Sequence, residues 1–264
     1  MAILDEILRK KKERLAAEKG RRPIGEIKSR MADAGPPKDF TGAIKRKNGI
    51  NLIAEVKKAS PSGGLLRAGF DPAKIAAIYR EKAAAVSVLT EEDFFQGSLA
   101  YLDIVKRASG RPVLRKDFIF DQYQIYEARA AGADAVLLIA KVLGFHQAEE
   151  FLAMAAELGL GVLFETHDLK DLETALRLDA PIIGINNRDL DTLKVDLDTT
   201  FALKSEIPGG KPVVSESGIG GRADVQRLED AGVDAILVGT ALMKSPDILK
   251  KINELMGVLP AQKW

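Results

Sequence analysis

Charged side chains interrupt several short apolar segments of this sequence, and each stands near the carboxyl end of its segment. An ammonium group can donate a proton and a carboxylate can accept one, so an acid and a base held together can move protons to and from a substrate. A single Lys or Glu in such a place could simply reach solvent. The same pattern in several segments instead indicates a reaction centre that uses acid–base chemistry. The residues concerned are Glu55, Lys57, Lys116, Glu165, Asn186 and Glu216.

The segments that carry these residues recur with a spacing that predicts the fold. Eight runs rich in β-branched and aliphatic residues begin near positions 51, 85, 112, 135, 161, 182, 212 and 235. Helical patterns such as FHQAEEFLAMAAELG separate them, so each repeat has the length of one strand–helix unit. Eight such units in about 250 residues predict an α/β fold, the (β/α)8 TIM barrel. We expect one domain, residues 1–264, with the barrel repeats in residues 51–264.

Residues 1–50 differ from the repeats and are expected to form an amino-terminal helical extension. They begin with a basic helix in which Ile3, Ile7, Leu8 and Leu15 form a partial apolar stripe. Because an apolar stripe is stable only when it is covered, we expect the helix to pack on the barrel rather than to form a second domain.

In a barrel of this type the carboxyl ends of all strands lie on one face, which is the catalytic face. Glu55 and Lys57 are two residues apart and therefore point the same way. Burying a charge without a partner costs several kcal/mol. Two lysines and three glutamates at one face therefore predict mutual ion pairs around a bound ligand.

Glycines follow the seventh and eighth predicted strands, where barrels commonly bind phosphate. A glycine lets the backbone N–H approach an anion closely, although it can also serve only as a turn residue. We predict a phosphate site formed by Lys57, Gly218, Gly239 and Thr240. The segment 60–64, which begins with Ser60, is either a flexible loop that closes over the site or a plain connection.

Composition excludes several classes of function. The formal net charge of +1 gives no field that would attract nucleic acid, and the absence of cysteine together with only two histidines argues against a zinc site. No segment approaches the roughly 18 apolar residues of a membrane span, and the amino terminus lacks a secretory signal. We expect a cytoplasmic monomer with a small-molecule partner and with neither nucleic acid nor membrane partners. His167 alone is more often a structural or exposed residue than a ligand.

Three alternatives stay open at this point. Gly218, Gly220 and Ala223 spell G-x-G-x-x-A after a strand, which would favour an open doubly wound sheet that binds a nicotinamide cofactor. Another phosphate-binding barrel, such as a sugar-phosphate isomerase or a lyase with Lys116 or Lys57 as Schiff-base nucleophile, would use the same residues. An inactive barrel that binds a phosphorylated metabolite is a third reading, but it predicts loss of the charges at the strand ends.

Longer segments resemble a known family, from the first helix to the final strand. They are IAEVKKASPSGG, VSVLTEEDFFQGSLAYL, LRKDFIFDQYQIYEARAAGADAVLLIA, LFETHD, IIGINNRDL and VVSESGI. These segments look like indole-3-glycerol phosphate synthase, although Thr166 stands where the family more often has Val and Leu193 where an aromatic residue is frequent. The resemblance implies conversion of 1-(2-carboxyphenylamino)-1-deoxyribulose 5-phosphate to indole-3-glycerol phosphate, carbon dioxide and water, with no cofactor.

The resemblance also implies roles for individual residues. Lys116 looks like the general acid on the substrate ketone, and Glu55, Lys57 and Glu165 match other polar residues of the family's site. From the chemistry of the steps we expect Lys57 and Glu165 to serve later proton transfers and Glu55 to be a further catalytic residue. A lysine in a dry pocket or near other cations has a lowered pKa and is a better acid at neutral pH, but the sequence does not show which lysine is tuned in this way. The substrate-binding residues that the resemblance implies are Ser60, Phe118, Asn186, Arg188, Glu216 and Ser217.

Overall fold

Eight parallel strands close into a barrel in the computed structural model, which describes residues 3–47, 49–190 and 192–258. Each strand pairs with the next strand along the chain, and the last pairs with the first. The strands are β1 (Asn51–Val56), β2 (Ala85–Leu89), β3 (Val113–Lys116), β4 (Ala135–Ile139), β5 (Gly161–Thr166), β6 (Ile182–Asn186), β7 (Val213–Glu216) and β8 (Ala235–Val238).

Closure of the barrel decides between the two predicted architectures. β8 pairs with β1 in parallel register, from Asn51 opposite Ala235 to Ala54 opposite Val238. The (β/α)8 prediction is therefore confirmed, and the open doubly wound sheet is wrong. The predicted strand positions are also correct to within one residue.

Prolines explain the two shifted boundaries. Pro112 and Pro212 precede β3 and β7, and proline has no N–H to donate to a strand ladder. Their carbonyl groups still accept hydrogen bonds from the neighbouring strands: Pro112 O accepts from Val86 N, and Pro212 O accepts from Ile183 N. Each proline therefore supports a neighbouring strand from a position just outside its own.

Helices alternate with the strands and cover the outside of the barrel. Aspartates cap several of them: the Asp71, Asp121, Asp168 and Asp247 side chains accept backbone N–H groups at helix starts. The helices are α1 (Ile3–Arg21), α2 (Ile24–Arg30), α3 (Phe40–Ile44), α4 (Pro72–Tyr79), α5 (Tyr101–Ser109), α6 (Gln122–Ala130), α7 (Phe145–Glu157), α8 (Leu169–Arg177), α9 (Asp198–Lys204), α10 (Arg222–Asp230), α11 (Thr240–Lys244) and α12 (Ile248–Leu255), with 3-10 turns at Met31–Ala34 and Ala140–Val142.

The segment 60–64 forms part of a short hairpin. Ala59–Ser60 and Gly64–Leu65 pair as a short antiparallel hairpin. The Ser60 side chain and carbonyl both accept the Gly63 N–H, at 3.1 and 3.2 Å. The hairpin holds Ser60 at the rim of the barrel, directly after β1.

The extension covers both ends of the barrel. Phe40 and Ile44 of α3 are buried and pack with residues at the strand starts, such as Ala135 and Ala235, so they close the amino-terminal end. At the other end α1 buries Ile7. The predicted stripe on α1 faces the protein, with Ile7 and Leu15 buried and Ile3 and Leu8 half-buried. Among the described residues, no helix is long and apolar enough to cross a lipid bilayer.

A buried ion-pair cluster ties α1 to the strand that carries Lys116. Lys11 Nζ lies 2.6 Å from Asp117 Oδ1, and the Asp117 side chain has no exposed surface. Asp117 Oδ2 also accepts from Arg115 Nη2 at 3.0 Å and from Thr90 Oγ1 at 2.6 Å. The pKa of Asp117 is held below its ordinary value because the charges of Lys11 and Arg115 outweigh the effect of burial. The first helix is thus fixed to the chain immediately after β3.

We expect Lys11→Met to lower the free energy of unfolding by about 1–3 kcal/mol. The buried Asp117 carboxylate then loses one of its two cations and keeps Arg115 and the Thr90 hydroxyl. Arg9→Met is the matched control, because Arg9 pairs with Glu13 on the exposed side of the same helix and should change stability by no more than about 0.5 kcal/mol. Urea unfolding measures both. Equal effects of the two substitutions would contradict the anchoring role of Lys11.

Candidate active site

A cavity of about 440 Å³ opens at the carboxyl ends of the strands. Every residue predicted for the site lines it, so the structure brings together positions that are up to 185 residues apart along the chain. They are Glu55, Lys57, Ser60, Lys116, Phe118, Glu165, Asn186, Arg188, Glu216, Ser217, Gly218, Gly239 and Thr240.

The charged residues form one layer of the barrel interior. Glu55, Lys116, Glu165 and Glu216 come from β1, β3, β5 and β7, one from each odd-numbered strand. Inward residues of alternate strands share a layer in this fold. The next layer of odd-strand residues, two positions earlier, is apolar: it consists of Ile53, Leu114, Leu163 and Val214. Charge is therefore confined to the end of the barrel that faces the cavity.

Lys116 lies at the centre of this layer. Its Nζ is 2.5 Å from Glu165 Oε2 and 2.9 Å from Glu216 Oε2, and only 15% of its side chain is exposed. Burial lowers the pKa of Lys116, but the charges of Glu165, Glu216 and Glu55 outweigh burial and raise that pKa above its ordinary value. The lowered lysine pKa that a dry pocket would give does not apply to Lys116, because carboxylates rather than cations surround it.

Glu165 is held at both carboxylate oxygens. Oε2 accepts from Lys116, while Oε1 accepts from Asn186 Nδ2 at 3.2 Å and lies 3.2 Å from His167 Nε2. Burial alone would raise the pKa of Glu165, but the cations Lys116 and His167 outweigh it and lower the pKa well below its usual range. Glu165 is therefore an ionised, oriented carboxylate.

Glu216 has the opposite electrostatic character. Its two carboxylate oxygens are buried and form no hydrogen bond with the described residues, and the contact with Lys116 is a charge pairing only. Burial raises the pKa of Glu216 to about 7. The positive charge of Lys116 lowers this pKa, whereas the negative charge of Glu165 raises it further. Two glutamates on one lysine thus differ in proton affinity, which is the arrangement that separates an acid from a base.

Gly184, which was not predicted as a site residue, leaves space for the Glu216 side chain. Gly184 lies on β6 beside the Glu216 carboxylate, and a methyl group there would come within 2.6 Å of Glu216 Oε1. Within a strand, glycine often marks a close approach of another group. That signal was present in the segment IIGINN, but the sequence does not tell which side chain needs the room.

Glu55 and Lys57 form a second ion pair at 2.6 Å, which confirms that they point the same way. The pair packs against Gly239: a methyl group at Gly239 would overlap Glu55 Oε1 and would lie 3.0 Å from Lys57 Nζ. Gly239 therefore has a second reason to be glycine besides the approach of an anion.

The loop after β7 presents backbone groups at the opposite side of the cavity from Lys116's strand. Ser217 and Gly218 both have positive φ, 67° and 80°, and the Asn187 side chain fixes the turn by donating to Ser217 O at 3.0 Å. The N–H groups of Gly220 and Gly221 already donate to Asp224 Oδ2. Gly218, the residue of this loop that is predicted to bind phosphate, lines the cavity.

One wall of the cavity is apolar. Phe118 stacks near Phe95, with ring centroids 6.3 Å apart. Most residues of this wall could not be predicted from the sequence as cavity-lining residues, because they look like ordinary core positions of strands or of α1. The further apolar residues that line it include Leu89, Leu137, Ile139 and Leu237 from strands, and Ile3, Leu4 and Ile7 from α1.

The rim holds the remaining cation of the site. Arg188 Nη1 donates to Leu193 O at 3.0 Å, and its backbone N–H donates to Asn186 Oδ1 at 3.0 Å. Burial lowers the pKa of Arg188. In the described ranges, no group of three or more His, Cys, Asp or Glu side chains is arranged to hold a metal ion.

Solved structures share the fold at low sequence identity. A 3-hexulose-6-phosphate synthase from Salmonella typhimurium superposes with a TM-score of 0.65 at 14% identity, covering 79% of this chain and 98% of the other. A chain of the tryptophan synthase complex from Pyrococcus furiosus gives a TM-score of 0.60 at 18% identity, covering 78% and 98%. At these identities the likeness supports the barrel fold alone.

Sequence comparison is more specific. Residues 4–255 match the family model for indole-3-glycerol phosphate synthase. The chain is 46% identical over 259 residues to indole-3-glycerol phosphate synthase 2 of Ralstonia nicotianae, covering 97% of both chains. It is 48% identical over 257 residues to indole-3-glycerol phosphate synthase of Neisseria meningitidis serogroup C, covering 96% of this chain and 98% of the relative. The chain therefore belongs to the indole-3-glycerol phosphate synthase family, carbon–carbon lyases of tryptophan biosynthesis.

Proposed function

We propose that this enzyme forms indole-3-glycerol phosphate from 1-(2-carboxyphenylamino)-1-deoxyribulose 5-phosphate with Lys116 as the general acid. The observation that carries the proposal is the position of the Lys116 ammonium, between two carboxylates of unequal proton affinity in a cavity with one apolar wall. The reaction releases one carbon dioxide and one water and needs no cofactor.

The cavity suits each part of this substrate. Phe118 and the neighbouring aliphatic side chains can cover the carboxyphenyl ring, and the loops at Gly218 and Gly239 can receive the phosphate. We assign Lys57 and Thr240 to the phosphate as well. The other groups that we assign to substrate binding are Ser60, Asn186, Arg188, Glu216 and Ser217.

Ring closure comes first in the proposed sequence of steps. The aromatic carbon attacks the ketone carbon, and the ketone oxygen takes a proton from Lys116. Since the raised pKa of Lys116 keeps it protonated in the free enzyme, the proton moves only when the oxygen has become strongly basic. Loss of carbon dioxide then returns the electron pair of the broken carbon–carbon bond to the ring. In the final elimination of water, Lys57 acts as the acid and Glu165 as the base, and Glu55 holds Lys57 in place through their ion pair.

A direct assay tests the overall function. The purified protein is supplied with the carboxyphenylamino deoxyribulose phosphate and no added cofactor. It should form indole-3-glycerol phosphate, measured by indole fluorescence, and release one carbon dioxide for each product molecule. Absence of product from folded protein would contradict the proposed function.

We also propose that residues 1–264 work as one domain, with residues 1–50 as its extension, and that the protein acts as a cytoplasmic monomer without nucleic acid or membrane partners. The near-zero net charge supports the absence of a nucleic acid partner. Light scattering of the purified protein tests the monomer.

Lys116→Met should lower turnover by roughly 100-fold to 10,000-fold, the range that loss of a positioned acid usually costs. Lys116→Arg is the matched control, because it keeps the charge between Glu165 and Glu216 but gives up a proton far less readily. Single-turnover formation of indole-3-glycerol phosphate should be slow in both variants, while both still bind product. If Lys116→Arg turns over within about threefold of the parent, charge rather than proton donation is what Lys116 supplies.

Gly239→Ala should raise the Michaelis constant and lower turnover together, because the new methyl group displaces Glu55 and Lys57 as well as the proposed phosphate. Gly209→Ala is the control: it has open space around its Cα position and lies away from the cavity. Steady-state kinetics measures the effect on Glu55 and Lys57, and stabilisation of the protein by inorganic sulfate measures the effect on the proposed phosphate site. Parental kinetics in Gly239→Ala would show that neither the ion pair nor the anion needs this glycine.

Stability should respond to the raised pKa of Glu216. Between the ordinary carboxyl pKa of 4.5 and the folded-state pKa of about 7, the folded protein binds more protons at Glu216 than the unfolded chain, so this residue lowers stability as pH rises through that window. Glu216→Gln removes the effect. Relative to the parent, the variant should therefore gain up to about 1.4 kcal/mol per pH unit in the window. Urea unfolding at pH 5, 6, 7 and 8 measures this difference, and a difference independent of pH would contradict it.

A further inference from the structure

A buried imidazole stands behind the charged layer without lining the cavity. His167 follows β5 directly, and its Nε2 lies 3.2 Å from Glu165 Oε1 while its Nδ1 lies 3.3 Å from Asp171 Oδ2. Only 2% of the side chain is exposed. This histidine is buried rather than exposed, and the steps above do not use it.

We infer that His167, held in place by Asp171, is a positioning residue that orients the Glu165 carboxylate and keeps it ionised for proton transfer. The inference rests on the proposed function, because it adds a residue to the same reaction. It does not make His167 a catalytic residue, since the imidazole does not line the cavity.

Asp171 fixes the imidazole at two points. Its Oδ2 accepts from the His167 backbone N–H at 3.0 Å and lies 3.3 Å from the ring Nδ1. Asp171 is itself held, because its own N–H donates to the Asp168 side chain at 2.9 Å at the start of α8. With Nδ1 directed at Asp171, Nε2 on the other side of the ring lies 3.2 Å from Glu165 Oε1, a charge contact outside hydrogen-bond geometry.

The contact with Glu165 completes a row of alternating charge. Lys116, Glu165, His167 and Asp171 follow one another at 2.5, 3.2 and 3.3 Å. The ends of the row differ in function, because Lys116 must release its proton during ring closure whereas Asp171 has no such role. Once Lys116 is neutral, Glu165 has lost its nearest cation. The imidazolium is then the charge beside Glu165 that keeps it from taking a proton before the elimination step needs it.

The surroundings favour a charged imidazole. Burial lowers the pKa of His167, but Asp171 and Glu165 outweigh burial and raise that pKa from 6.5 to about 9. The other charged groups nearby belong to adjacent elements. Lys116 of β3 reaches Glu165, and Lys141 after β4 lies 3.9 Å from Asp168 rather than in the row. From β6, Asn186 contributes a neutral amide to the same Glu165 oxygen.

A titration without substrate tests the charged state by itself. The chain has two histidines, and His146 is on the surface, so ¹⁵N-histidine NMR of the whole protein gives two pairs of ring-nitrogen signals, which His146→Gln assigns. We expect the His167 ring to lose its proton near pH 9 and at a lower pH in Asp171→Asn. A His167 ring that is already neutral at pH 7 in the parent would overturn the inference.

Kinetics tests the positioning role. His167→Gln keeps a neutral donor near Glu165, and His167→Ala removes the donor, with His146→Gln as the surface control. Turnover should fall by about 10- to 100-fold in His167→Ala, as is usual when the group that orients an active-site residue is removed. The fall should be smaller in His167→Gln. The Michaelis constant should stay within about threefold, because the imidazole does not touch the substrate.

The pH profile separates this role from a purely structural one. In the parent, kcat/KM should fall as pH rises through about 9, where free-enzyme His167 loses its charge, and this limb should be absent in both His167 variants. Parental turnover, or the same alkaline limb in the variants, would overturn the inference even if His167→Ala proves unstable, because His167→Gln preserves most of the volume. A parent enzyme that makes no indole-3-glycerol phosphate would instead count against the proposed function and leave the NMR result to decide the charged state.

Discussion

The constraint on which the active site depends is the burial of an ammonium group among carboxylates. Lys116 is largely enclosed at the end of a strand, with 15% of its side chain exposed, and a charge in that environment is stable only when opposite charges are held close to it. Glu165 and Glu216 satisfy that requirement, but they in turn must be fixed and kept apart. Each further feature of the site, from the Asn186 amide to the space above Gly184, follows from that need.

Barrel closure makes this arrangement possible. Inward residues of β1, β3, β5 and β7 share a layer because the strands of a closed barrel are staggered, so four residues distant in sequence become neighbours. An open sheet with the same strands would place β1 and β7 at different positions along its width. The apolar layer beneath, which includes Leu114 and Leu163, keeps water from reaching the charges from below. The low dielectric that results strengthens every ion pair above it.

The amino-terminal extension belongs to the same arrangement. It reaches the charged layer by two routes: α1 brings Ile3 and Ile7 to the cavity, and Lys11 of the same helix pairs with Asp117, the residue next to Lys116. Substrate access and the conformation after β3 are therefore connected through one helix. At the other end of the barrel, Phe40 fills the space between the strand starts and contributes stability rather than chemistry.

The number and order of the strands, and the residue types at their carboxyl ends, can be read from the amino-acid sequence alone. Strand periodicity is local, so the eight runs could be located to within one residue, and a charge in an apolar run is visible without coordinates. The sequence also predicts that an anion approaches the backbone at Gly218 and Gly239, because glycine at a strand end is a local signal, and this stays a prediction. The family to which the chain belongs follows from long segments rather than from any single residue.

The contacts between the charged side chains, and the pKa shifts that these contacts cause, depend on the folded barrel. Pairing depends on the stagger between strands that are far apart along the chain, and no local pattern encodes it. Hence the sequence predicted ion pairs among these charges, but it could not show that Lys116 pairs with Glu165 and Glu216 and has a raised pKa, or that these two glutamates differ in proton affinity. For the same reason His167 and Gly184 stood out only when Glu165 and Glu216 were in place beside them. Electrostatic energy depends on distance and burial in three dimensions, and these are quantities that the closed barrel sets.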